Sequence, residues 1–490
     1  MIHTDINTQT ASLTLIRTDR GRPEIFWARR RADRAFLGGF FSFFAGSVEP
    51  TDAALPTTGA PPNERAPADL HLRTAALREC FEECGALFCA TGLLAPGTLA
   101  RDPAHQLSEH LPAPLDTARL HCAGTWRTPS WMPPTCTTFF TLTLTHAEAR
   151  TLDTLAEHLD PDELEWGQWI TPEQALHAWH HGLALLTTPL TALLAQLASQ
   201  PGHPTLGPTG HPAPTAEAIE YLGGIVALPL RTATLPPATH TNTYLIGRER
   251  FLIVDPGPDD ADELARLIAL IDARRARGHT PTAILLTHHH PDHVGGARAL
   301  AERFHLQILA HPRTAEILPA LGATHLTHGQ RLELGAFGEL EAWHTPGHAP
   351  GHLALVHAPT RSVFAGDLVA SRGTIIVNPP RGHMGDYLRS LHTLLTFNPD
   401  IIWPAHGLPI VATRALLTGY IDHRFEREAK VLDALRAHPR ATAAELVPGV
   451  YPELPPQIWP LAERSLLAHL IHLVEQGLAR ALDGDRYQAR

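Results

Sequence analysis

Apolar and polar positions along the 490 residues fall into two rhythms that take turns through the middle of the chain. Arg250–Asp255 (RFLIVD) is a near-continuous apolar run, as in a buried strand, and Asp260–Arg275 repeats its apolar residues at helical spacing. Ala283–Thr287 (AILLT) predicts a second strand and Gly295–Phe304 a second helix. Further strands are expected just before TPGHAPGH, at VFAG and just before PAHG. Towards the end, 424–437 reads as helix, ATAAELVPGVY as a short helix, 456–477 as a long amphipathic helix, and GLARALDGDRYQ as a strand pair around a turn. That order predicts a winged-helix-like domain. Near the start, LRECFEECGAL (77–87) has helical spacing and EWGQWITPEQAL (165–176) reads as a strand running into a helix.

The rhythm stops in two places. Residues 201–215, PGHPTLGPTGHPAPT, have no apolar period and predict a linker, and the proline-rich stretch 55–67 predicts a solvent loop. The length calls for two or three cores. The expected division is a first domain over 1–200, a linker over 201–217, a central domain over 218–412 and a C-terminal domain over 413–490.

Composition narrows the class. Hydrophobic residues make up 44% and charged residues 18%, as in globular proteins. No apolar run is long enough for a membrane span, and the first residues lack a signal-peptide pattern, so a cytoplasmic protein without a membrane partner is expected. The formal net charge is −11 and Lys430 is the sole lysine, which argues against DNA as a partner and leaves room for a local arginine-lined channel. Cys80, Cys84, Cys89, Cys122 and Cys136 are odd in number and clustered, as in reduced, packed thiols.

Chemistry concentrates in THHHPDH (287–293). Side chains two apart on extended chain point the same way, so His288 and His290 can grip one ion, while Asp292 and His293 lie where the chain turns and can face another. Imidazole and carboxylate suit zinc, manganese or iron. Further ligands follow at strand ends: His348 in TPGHAPGH, Asp367 in VFAGDL and His406 in WPAHG. His289, His344 and His352 flank these motifs and receive no ligand role; of the three, His352 is expected nearest the site.

These motifs, with VDPG at Val254–Gly257, resemble the metallo-β-lactamase superfamily over about residues 218–410. The resemblance implies an αββα sandwich of two mixed sheets. It implies one ion on His288, His290 and His348, a second on Asp292, His293 and His406, and Asp367 bridging both. Asp292 or solvent then handles the proton, and no serine or cysteine nucleophile is required. THTNTYLIG (239–247), NPPRGHMGDYLRSL (378–391) and the helical tail resemble the lactamase-beta-like endoribonuclease subfamily, whose members act on single-stranded RNA or on small activated esters.

In the first domain, Glu79, Glu82 and Glu83 fall on one helix face, a costly crowding that Arg78 offsets only in part and that magnesium or manganese would relieve. Arg78 to Ala86 resembles the Nudix box, with Gly46 as the box glycine and Asp52 where glutamate is usual. The resemblance spans about 12–198 and implies a Nudix α/β/α sandwich with Glu82 and Glu83 as catalytic carboxylates. An insertion between Asp52 and Arg78 resembles the coenzyme A diphosphatase branch. Ala45 replaces a second glycine, and no arginine precedes Phe139 and Phe140.

The whole therefore reads as an α/β and α+β multidomain fusion of two metal-dependent hydrolases. One would cleave a nucleoside-diphosphate-linked substrate of nucleotide or coenzyme A type. The other would cleave a phosphodiester, as in single-stranded RNA, or an ester or thioester. The alternative is a thioesterase of glyoxalase II type beside a non-catalytic, nucleotide-sensing Nudix domain.

Overall fold

The computed structural model describes residues 8–59, 69–101, 107, 111–200, 204–206 and 217–490. The chain forms two compact units, 1–226 and 227–490. The division falls at Val226/Ala227 rather than at 217/218 because strand Ile219–Leu222 packs on the first unit, where Tyr221 sits edge-on to Phe40 at 5.5 Å. Of the expected linker, 201–203 and 207–216 lie outside the described residues. Leu206 within it is buried, and its N–H bonds the Ala123 carbonyl at 2.6 Å. Leu55 is buried too, so the start of the 55–67 stretch is anchored in the core and not a solvent loop; 60–67 lies outside the described residues.

The first unit is built on a seven-stranded sheet. Its path runs Phe41–Ser42, Glu24–Arg30, Thr8–Arg17, Thr135–Thr143, His121–Arg127, with Phe44–Ser47 and Leu164–Ile170 paired off it. Period-two alternation sends Phe26 and Ala28 to one face, into the core under helix Leu70–Cys84. It sends Ile25 and Trp27 to the other, against helix Thr188–Ser199. The first helix ends where Gly85 adopts φ 78°, a conformation that glycine takes without Cβ strain.

The second unit has two large sheets before residue 413. One runs Ile225–Arg231, His240–Gly247, Arg250–Val254, Thr280–Leu286, Ile308–Ala310, Thr324–His325; the other runs Arg331–Glu333, Glu339–His344, Leu353–His357, Ser362–Gly366, Ile401–Pro404. They face each other through aromatics, with Tyr244 of the first sheet 5.4 Å from Phe364 and 6.3 Å from Trp403 of the second. Helix Ala261–Ala276 starts at Asp260, whose carboxylate accepts from the Asp262 and Glu263 N–H groups at 3.0 Å. Helix Met384–Phe397 belongs to the same core as the second sheet.

Beyond the sheets, a 25-residue helix, Thr413–Ala437, begins well before the expected 424. Helices Ala443–Val450 and Trp459–Glu475 follow. A small sheet of Ala441–Thr442, Arg486–Ala489 and Ala479–Leu482 completes a winged-helix arrangement. Among the described residues, no helix is long and apolar enough to cross a membrane.

Candidate metal centre

All seven residues expected to hold ions in the second unit come together at strand ends. Strand Thr280–Leu286 delivers Thr287 and His288, and the one-turn helix Pro291–Val294 carries Asp292 and His293. His348 follows strand Glu339–His344, Asp367 follows Ser362–Gly366, and His406 follows Ile401–Pro404. They form two sets close enough to share an ion each: His288, His290, His348 and Asp367, then Asp292, His293 and His406.

Asp367 lies between the sets. Its Oδ2 is 3.4 Å from His348 Nε2 and 4.0 Å from His288 Nε2, while its Oδ1 is 3.5 Å from His293 Nε2 and 3.2 Å from His406 Nε2. Asp292 Oδ2 completes the second set at 3.6 Å from His293 and 3.7 Å from His406.

The surroundings fix which nitrogen of each ring faces inward. His348 donates Nδ1–H to the Ile376 carbonyl at 2.8 Å, and His406 donates to that of His240 at 2.9 Å. His293 donates to Asp255 Oδ2 at 2.9 Å, and His288 to the Thr287 hydroxyl at 3.0 Å. That hydroxyl in turn donates to Asp255 at 2.7 Å. With Nδ1 committed outward, each Nε2 lone pair points to the centre, the usual way a ligating histidine is oriented. His290 instead offers Nδ1, 2.9 Å from both His288 Nε2 and His348 Nε2.

Electrostatics divide the rings, leaving His288 and His290 neutral and favouring a proton on His293 that a cation would replace. Burial, with neighbouring histidines, holds His288 well below the usual imidazole range and His290 at about 2, so these rings are neutral. Burial also pushes His293 down, but Asp367 and Asp255 outweigh it and hold the ring well above its usual value. The Asp367 carboxyl would be raised by burial, yet His293 and His406 keep it well below the usual carboxylate range.

A divalent pair fits this donor set. His293 Nε2 and Asp367 Oδ1 are buried and hydrogen-bonded to nothing, a costly state that a cation between them relieves. His290 Nδ1 lies 2.9 Å from two other ring nitrogens, which a single N–H cannot serve fully and a cation can, and imidazole with carboxylate suits zinc, manganese or iron.

Of the flanking histidines, His352 is fully buried. Its Nε2 accepts the Asp367 N–H at 3.0 Å, and its Nδ1–H donates to Thr345 at 2.8 Å. Gly366, at φ 48°, allows that approach, since a Cβ there would lie 2.6 Å from His352 Nε2 and 3.0 Å from Thr287 Oγ1. His289 is buried beside His290, and His344 stacks on His311 at 4.0 Å. In the sequence Asp255 stands out only as part of VDPG. The structure shows its carboxylate, at a residue with φ 50°, serving both Thr287 and His293. An acid before Pro-Gly at a strand end was the available signal.

In the first unit, Arg78 gathers the carboxylates. Its Nη1 bonds Glu79 at 2.7 Å and Glu82 at 2.8 Å, its Nε bonds buried Asp52 at 2.8 Å, and its Nη2 bonds the Ser47 carbonyl at 2.7 Å. Glu83 is buried apart from this network, with Oε2 unpaired. So the three glutamates differ in environment and do not stand as one uniform face. Among the described residues, sets of three or more ligand atoms within 4.8 Å of one another occur in the second unit, and the three glutamates are not drawn together in that way. Burial raises Glu79 to about 7 and Glu83 well above the usual range. Gly46 leaves room for Glu79, whose carboxylate carbon would sit 2.2 Å from a Cβ.

Residues 236–406 match the Metallo-beta-lactamase superfamily and 442–487 the Beta-lactamase associated winged helix domain. The Beta-lactamase-like protein 2 homolog of Drosophila melanogaster is 31% identical over 254 residues, 49% of this chain and 84% of that protein. The Atrochrysone carboxyl ACP thioesterase of Aspergillus chevalieri is 34% identical over 202 residues, 40% of this chain and 60% of that protein. A beta-lactamase domain protein from Burkholderia ambifaria shares the fold with a TM-score of 0.50 at 23% identity, over 58% of this chain and 96% of that one.

Proposed function

Because the chain belongs to the metallo-β-lactamase superfamily, we propose that its second unit is a two-metal hydrolase of thioesters or similarly activated esters. The observation that carries the reading is Asp367, with one carboxylate oxygen towards each histidine set. His288, His290 and His348 would hold one ion and Asp292, His293 and His406 the other, with Asp367 between them and zinc preferred over manganese or iron. Such a pair activates water at neutral pH and stabilises negative charge developing on the substrate oxygen.

The chain's own residues orient and tune. Asp255 and Thr287 fix the rings of His293 and His288, and the Ile376 and His240 carbonyls fix His348 and His406. Asp292, at the edge of the second set and in reach of the Thr241 hydroxyl at 3.4 Å, is placed to take the proton released on attack. The thioesterase name of one relative favours a thioester, and the net charge of −11 weighs against a long polyanion such as RNA.

For the first unit the proposal is a Nudix-type diphosphatase with magnesium or manganese on Glu79, Glu82 and Glu83. It is supported by the Arg78 network and the glycine that admits Glu79.

Full-length protein loaded with zinc or manganese should contain about two ions per chain in the second unit and cleave acyl-coenzyme A in preference to single-stranded RNA. RNA cleavage without thioester cleavage would replace the substrate reading. Full activity in protein stripped of transition metal would end the metal reading.

A further inference from the structure

Residues 368–376 form a strap that starts directly after Asp367 and touches both ligand sets. Its Ile376 carbonyl receives the His348 Nδ1–H at 2.8 Å. Its Ser371 N–H donates to the His406 carbonyl at 3.2 Å, and the Ser371 hydroxyl accepts from Leu408 N–H at 3.1 Å. A backbone segment of this kind has no helix or sheet to hold its shape, so its polar groups need other partners.

Those partners come from the Thr413–Ala437 helix, which lies between the two family-matched stretches, 236–406 and 442–487, and outside both. The buried Tyr420 hydroxyl accepts the Ala370 N–H at 3.0 Å and donates to the Gly373 carbonyl at 3.0 Å. The buried Arg424 guanidinium donates to the Ile375 carbonyl, one residue before the carbonyl that aims His348. It also lies over the Tyr387 ring, 5.2 Å from the centroid, and the Tyr387 hydroxyl bonds the Leu368 carbonyl at 2.8 Å. An arginine buried to 3% exposure, with its charge spent on a loop carbonyl, is an expensive device for packing alone.

We infer that Tyr420 and Arg424 are positioning residues of the metal centre, holding the strap so that His348, Asp367 and His406 keep their aim. The inference rests on the two-metal reading. It makes the connecting helix a working part of the hydrolase, and not only a link to the winged helix.

The test uses the full chain with Arg424→Met, Arg424→Lys and Tyr420→Phe, each loaded with zinc and then challenged with EDTA. Loss of a group that orients metal ligands typically costs 10–100-fold in metal affinity. Arg424→Met should therefore release zinc on the order of 10-fold faster, and Tyr420→Phe a few-fold faster; Arg424→Lys should recover part of the loss by donating to Ile375. The second readout is the thermal midpoint of loaded minus stripped protein, which measures stabilisation by bound metal. A positioning role shrinks this difference. A purely structural role lowers both midpoints together, leaves the difference and the release rate as in wild type, and overturns the inference. Should Arg424→Met fail to fold, Tyr420→Phe decides by the same two readouts. Wild-type protein that takes up no zinc overturns the two-metal reading itself, a result distinct from variants that match a zinc-loaded wild type.

Discussion

Asp367 faces four imidazoles and has one carboxylate oxygen for each side of the centre, so charge and shape can be separated there. Asp367→Asn keeps the size and removes the negative charge that offsets the cations. It should fold, lose the ion of the His293 and His406 side first, and fall in turnover by on the order of 10²-fold, the scale of lost electrostatic preorganisation. His289→Ala is the matched control, changing the same loop without removing a proposed ligand, and should retain its full metal content by elemental analysis. All seven grouped positions were legible in the sequence because they fall in four short motifs at strand ends, each containing glycine or proline, a local pattern. The place of His352 near the site was legible too, but its bond to the Asp367 N–H and the role of Asp255 were not, as those partners lie 15 and 38 positions away and only the closed fold brings them together. Arg78 was read as a partial neutraliser of the glutamates, and its bond to buried Asp52 depended on a contact across 26 positions.

Between elements, the Thr413–Ala437 and Trp459–Glu475 helices meet over a buried charge. The Glu428 carboxylate accepts from His472 Nδ1 at 2.6 Å and lies 3.5 Å from His469 Nδ1. Burial pushes Glu428 up, but the close approach of His469 and the hydrogen bond from His472 outweigh it and bring its pKa to about 2, against an ordinary 4.5. A carboxylate with a depressed folded pKa stabilises fully above its unfolded value and loses that contribution as pH falls through the folded one. Stability of this helix pair should therefore decline between about pH 4.5 and 2. Glu428→Gln should flatten that decline and lower the midpoint at pH 7, by roughly 2–4 °C for each kcal/mol lost. Thermal unfolding of both proteins across that range checks it. The sequence pattern gave the second half of the longer helix and missed its first. Gly419 weakens helix propensity there, and Leu417, Tyr420 and Ile421 are buried in the core of the second sheet, which local periodicity does not reveal.

At the scale of the whole chain, two chemistries are proposed on two compact units, and they should be separable by single substitutions. Glu82→Gln should abolish diphosphatase turnover, leaving thioester cleavage within about twofold, as expected for sites without shared partners. A first unit that only senses a nucleotide would show no diphosphatase turnover in wild type either, so both activities are assayed in both proteins. The ligands of the second unit have a further property, their order along the chain. The Asn242 side-chain amide reaches the Pro404 and Gly407 carbonyls, 162 and 165 positions on, so the centre closes only when its last strand and loop are in place. A ribosome releases the chain from its N-terminus. His288, His290, His348 and Asp367 therefore emerge before His406, and a nascent chain presents one complete ligand set while the other still lacks a member. Ion capture during synthesis would acquire a direction from this, because the four residues that would hold one ion are all released before the loop that completes the other set.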